Sequence, residues 1–196
     1  MGQRTLELTD PRALRAVAHP VRLSLVGLLR REGALTATEA GHLLGESAAN
    51  CSFHLRQLAK HGLVEEAGGG RGRERPWRAT AWLTSWPNVA DDPDLAAALG
   101  ALNAVVVDRY FAQVRGWLAA RDDDPPEWQE ASTFGDRILY VTPEELAQVK
   151  REVEENLARY EERAARPELR PEGTRAVTWI QFAFPAPPAD GADTSG

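Results

Sequence analysis

Residues 36–66, TATEAGHLLGESAANCSFHLRQLAKHGLVEE, decide how the chain folds. Thr36 followed three residues later by Glu39 is a capping box, and Gly45 closes the first segment after little more than two helical turns. Glu46-Ser47 makes a turn, and Ser47 caps a second helix that runs to Gly62. Two helices joined by a tight turn are expected. At ~100° per residue, Ala48, Cys51, Leu55 and Leu58 of the second helix converge on one side. Ala49, Asn50, Phe53, Arg56, Gln57 and Lys60 share the other, flanked by Ser52 and His54.

Working outward, TDPRALRAVA predicts a short helix beginning near residue 10, with Thr9 or Asp10 as cap and Pro11 in the first turn. After His19-Pro20, VRLSLVGLLRREG is amphipathic, with Val21, Leu25, Leu28 and Leu29 on one side and Gly33 as its stop. Downstream, LVEEA reads as a strand, GGGRGRERP as a glycine-rich loop and WRATAW as a returning strand. Helix, helix, helix-turn-helix and hairpin within residues 1–82 are the parts of a winged helix. The order is more specific than any one part.

The outward side of the 47–61 helix suits base edges. Asn and Gln bond adenine bidentately, Arg bonds guanine, an apolar group such as Phe53 meets a thymine methyl, and Lys60 suits a phosphate. In the hairpin, Arg71, Arg73 and Arg75 alternate beside glycines that let a backbone approach the duplex. The ordinary alternative is a solvated helix face and a charged loop. Charge distribution favours DNA: residues 1–82 hold 12 Lys and Arg against 8 Asp and Glu, whereas the remainder holds 11 against 21. The formal net charge of −6 hides this division, and only the first part has the sign that phosphates attract.

Residues 8–82 resemble the ArsR-like (arsenic-repressor type) winged-helix family of transcriptional regulators. AHPVRLSLVGLLRREG is similar to that family's opening "hP-R--IL--L" pattern, and SAANCSFHLRQLAKHGLVEE to its recognition helix, in which Ser-x-x-x-His-Leu-x-x-Leu precedes Gly-Leu-Val. The resemblance implies a homodimer that places two recognition helices in successive major grooves of a near-palindromic operator, usually to repress. It also implies DNA contacts for Ser47, Ser52, His54 and Arg56, and for the wing arginines. Many relatives sense metals through a Cys-x-Cys pair near the short third helix. Here that place reads TATEAGHLLG, and Cys51, the only cysteine, points toward the expected core. The four histidines follow no ligand-spacing rule, so neither a metal nor another cofactor is expected.

Residues 83–93 read as a connection. Asp92-Pro93 opens a long helix over 94–120 whose stripe of Leu95, Leu99, Leu102 and Val106 is the best dimerisation element, with packing inside the chain as the competing explanation. RILYV at 137–141 reads as a strand, Thr142-Pro143 with Glu145 opens another helix striped by Leu146, Val149, Val153, Leu157 and Tyr160, and 174–184 resumes strand character. Trp128, Tyr140, Trp179, Phe182 and Phe184 either enclose a small apolar effector or form a core. Core is favoured, because no polar constellation marks a pocket. Residues 185–196 have the composition of a disordered tail.

The expected architecture is α+β and mainly helical: a winged helix-turn-helix DNA-binding domain (1–82), the connection (83–93), a dimerisation and effector domain of long helix plus strand-helix-strand (94–184), and the tail. No apolar run such as AVVV at 104–107 approaches the ~18 residues of a membrane span, so the chain is expected in the cytoplasm. Its acidic runs lack a nucleophile, a phosphate-cradling loop or convergent polar groups, which argues against an enzyme. The expected partners are double-stranded DNA, a second copy and a small-molecule effector. The alternative reading is a winged-helix module for protein contacts with only nonspecific DNA affinity.

Overall fold

The computed structural model describes residues 3–69 and 75–186. The chain begins with β1 (Gln3–Glu7), followed by α1 (Pro11–Val17), α2 (Pro20–Glu32), α3 (Ala37–Leu44) and α4 (Ala48–Lys60). Next come β2 (Val64–Glu66), β3 (Trp77–Ala79) and β4 (Ala81–Ser85), then α5 (Pro93–Ala120), α6 (Pro126–Ala131) and α7 (Pro143–Ala165). The architecture is mainly helical, with an N-terminal winged helix-turn-helix and small sheets.

The caps that were expected are made. Asp10 accepts the Arg12 N–H, and the Thr36 side chain accepts the Glu39 N–H while the Glu39 carboxylate accepts from the Thr36 N–H at 2.8 Å. Ser47 Oγ accepts the Asn50 N–H at 3.1 Å, and Asp92 accepts the Leu95 N–H at 2.8 Å. Each satisfies a donor that the first helical turn leaves without a partner. Gly45 ends α3 in the left-handed region, at φ 69°.

Leu14 of α1, Leu25 and Leu29 of α2, and Cys51, Leu55 and Leu58 of α4 are fully buried together, closed by Val64 of β2 and by Leu102 of α5. β2 and β3 pair antiparallel with Val64 opposite Ala79 and Glu66 opposite Trp77, and Leu35 adds a bridge to Trp77. The expected returning strand is broken at Thr80, which donates its N–H to the Leu63 carbonyl at 3.1 Å. Beyond the break, β4 pairs in parallel with β1, a strand the sequence pattern did not indicate. β4 runs to Ser85, three residues into the expected connection.

α5 packs against α1, and Arg15 of α1 ion-pairs with Asp94 at its start. Leu99, Leu102 and Val106 are buried in the chain's own core and Leu95 is half-buried against it. The competing explanation therefore accounts for the stripe, and the reason for assigning these four residues to a subunit contact is gone. By length and composition the helix around α5 is also apolar enough to cross a membrane, with a mean hydropathy of 1.4 over its most apolar stretch. The sequence expectation looked only at unbroken apolar runs. Ala98, Leu99, Leu102 and Val106 are the side of α5 that the chain's own core buries.

The second half departs from expectation. Residues 137–141 and 174–186 form no strand, α6 was not foreseen, and the aromatics expected as core are mostly open: Tyr140 is 97% and Trp179 60% exposed, with Phe182 and Phe184 exposed as well. Trp128 is half-buried beneath the Arg175 guanidinium, 5.2 Å from its ring centre. β-propensity lowers the energy of a strand only when a neighbouring strand accepts its ladder, and among the described residues none does. Of the expected tail, Pro185 and Ala186 lie outside any helix or strand, and 187–196 fall outside the described residues.

Candidate nucleic-acid interface

α3, the turn at Gly45–Ser47 and α4 pack together as one unit. The Glu46 N–H donates to the Gly41 carbonyl at 2.9 Å, which brings the turn onto the body of α3. A Cβ at Gly41 would stand 2.7 Å from the Glu46 carbonyl oxygen, so only glycine fits this approach. The requirement is tertiary, and a lone Gly inside a helical pattern gave no hint of it.

The turn presents α4 with Ser47, Ala49, Phe53, Arg56 and Lys60 exposed, and Asn50, Ser52 and Gln57 half-buried. Phe53 is 49% exposed, a large apolar group held in solvent at the middle of the face. Arg56 donates to Ser52 Oγ at 3.2 Å, one turn back along the helix. Asn50 donates to Glu46 Oε2 at 2.8 Å, so its amide is partly engaged in the turn. Ala48, expected on the inner side, is exposed, because the first turn of α4 overhangs the core.

His54 does not belong to this face. It is only 6% exposed, with its ring centre 4.5 Å from that of His19 and 5.2 Å from that of Phe53. The expectation of a DNA contact there is corrected: the side chain sits between α4 and the start of α2, where His19 Nδ1 accepts the Val21 N–H at 3.2 Å. Burial pushes the His54 pKa below its ordinary value, and His19 and Arg22 beside it push the same way while Glu46 opposes. His19 is lowered too, first by burial and then by Arg22. His54 Nδ1 and Arg22 Nε are both buried without a hydrogen-bond partner among the described residues. Burial likewise raises the Cys51 thiol, which suits a core side chain rather than a reactive one.

In the wing, Arg75 ion-pairs with Glu66 at 2.7 Å and Arg78 with Glu65 at 2.8 Å, both exposed. Arg78, which the sequence reading did not single out, thus joins the wing's cationic groups; its register opposite Glu65 becomes visible only once the strands pair. Arg71 and Arg73 lie outside the described residues. Among the described residues, no group of three or more His, Cys, Asp and Glu side chains could hold a metal ion.

Residues 17–67 match a family model described as a helix-turn-helix domain. The resemblance covers the element that carries the exposed face. Among solved structures, the chain is similar to the homodimeric winged helix-turn-helix DNA-binding domain of Mb0332 from Mycobacterium bovis, described as a possible ArsR-family transcriptional regulator. Identity is 27%, over 50% of this chain and 76% of that one, with a TM-score of 0.32. Rv0081 of Mycobacterium tuberculosis is 22% identical over 52% of this chain and 89% of its own, also with a TM-score of 0.32. No curated protein matches the chain.

Proposed function

We propose that the chain is a DNA-binding transcriptional regulator that works as a homodimer in the cytoplasm and catalyses no reaction. In this reading α4 enters the major groove, and Arg56, Gln57 and Phe53 meet base edges while Lys60 holds a phosphate. Arg75, with Arg71 and Arg73, places the wing on the adjoining backbone or minor groove. The observation that carries it is the exposed side of α4, where an apolar ring and two cations stand out from a helix whose opposite side buries Cys51, Leu55 and Leu58 completely. Ser47 and Asn50 sit at the N-terminal end of α4, the end a recognition helix turns toward the bases. Two such helices related by a two-fold axis read a near-palindromic operator, and occupying it represses.

Gel shifts on DNA from upstream of the chain's own gene, with a salt titration, test the proposal. A specific shift at moderate salt that Arg56→Ala weakens is the expected result. Binding that ignores both the sequence of the DNA and this substitution would overturn it.

A further inference from the structure

The second half of the chain carries apolar groups that nothing among the described residues covers. Ile138, Tyr140, Trp179 and Phe184 are each at least 60% exposed. Among the described residues, 133–141 and 175–186 make no main-chain hydrogen bonds to other main-chain groups, although both stretches are rich in β-branched and aromatic residues. Among the described helices and strands none packs substantially on α7; its principal neighbour there is the short turn at Pro167–Leu169. Even so, its capping box is complete and one side is striped with Leu and Val.

The accessible surface gives the scale of this deficit. A compact monomer of this mass exposes roughly 9,200 Å². This chain exposes 14347 Å², a surplus of about 5,000 Å². The residues outside the described set could supply at most about 2,300 Å² of that, even if fully extended. What is left matches or exceeds one partner's share of an obligate dimer interface, in which about 2,000–5,000 Å² is buried in total.

We propose that this surface is the interface with a second copy of the chain. The extended segments 133–141 and 175–186 pair with strands of the partner, and the stripe of α7 closes over the layer they form. Two β-prone segments without a ladder and one amphipathic helix without a cover are the parts of a single sheet-and-helix layer, so each copy supplies what the other lacks. The segments are already positioned for it. Phe182 lies against Tyr110 and Phe111 of α5 at 6.1 and 6.4 Å between ring centres, and Phe134 against Trp117 at 6.4 Å. Arg175 pairs with Asp124 at 2.8 Å. The proposal assigns the subunit contact of the regulator to the C-terminal arm rather than to the α5 stripe, and it does not depend on DNA recognition.

Sedimentation equilibrium of the full chain tests it. The wild type should have twice the 21.5 kDa chain mass at micromolar concentration. Tyr140→Asp with Trp179→Asp should raise the dissociation constant at least a hundredfold, with the thermal unfolding of the N-terminal domain unchanged. Amide hydrogen exchange on the wild type provides a second measurement that needs no variant: 133–141 and 175–186 should be protected at dimer concentrations and lose protection on dilution. A monomeric wild type, unprotected arms at high concentration, or a variant that keeps the dimer mass would each overturn the proposal. A dimer held by α5 gives the last of these and leaves the DNA reading intact. Loss of sequence-specific binding would contradict the DNA reading and leave this interface standing.

Discussion

Arg56 is the residue on which the DNA reading turns. It is exposed on α4, and among the described residues its hydrogen bond is to Ser52, so a guanine can claim its guanidinium without breaking a buried contact. Arg56→Ala should weaken specific binding about 10- to 100-fold, the ~1–3 kcal/mol of one good base contact, and should flatten the preference at that base pair. Competition between operator variants in a gel shift measures it. The two histidines make a different prediction. Both folded-state pKa values lie below the ordinary one, so the unfolded chain binds protons more readily. Their contribution to stability is therefore complete above the unfolded pKa of about 6.5 and is lost as pH falls through the folded values. The unfolding midpoint should drop between pH 7 and pH 5, and less steeply in His54→Gln, as calorimetry can check. The exposed side of α4 was legible from angular periodicity. His54 was misplaced because it was set at the flank of the outward face and then matched to the family pattern, although it lies three residues after Cys51 and four before Leu58, within the buried row.

At the scale of elements, local chemistry was readable and distant chemistry was not. The caps at Asp10, Thr36, Ser47 and Asp92 are made between residues two or three apart, so the sequence contains both partners. β1 became a strand only because β4, more than seventy residues away, pairs with it. Residues 137–141 have strand propensity and no neighbour, and they form none. Gly41 shows the same limit within the helix-turn-helix, since its need for glycine comes from the Glu46 carbonyl folding back on α3. Gly41→Ala should destabilise the domain by about 1–3 kcal/mol, as overpacked sites do. Chemical denaturation checks this, and an unchanged midpoint would mean the turn can shift to make room.

For the whole molecule, the division between a basic first part and an acidic second part was visible in the sequence, and the structure gives each a separate character. Among the described residues every fully buried side chain lies in the first 106, with α5 tied to α1 by the Arg15–Asp94 pair. The stripe on α5 looked like a subunit contact because periodicity shows that a face is apolar and not what it meets. The uncovered surface lies farther along, in stretches expected to pack within the chain. If the arm holds the dimer, substitutions that release it should reduce operator affinity by about the avidity of two linked readers, 10²–10⁴-fold, while half-site binding persists. Fluorescence anisotropy on full and half operators would measure that difference.

The central claim is that two copies of α4 read DNA sequence together, and selection of binding sites from random duplex DNA by the full chain tests it most directly. The account predicts enrichment of a near-palindrome whose half-sites are centred about one helical turn apart, and loss of that enrichment with Arg56→Ala. A pool that emerges without an enriched motif, or with one that Arg56→Ala selects equally well, would contradict it.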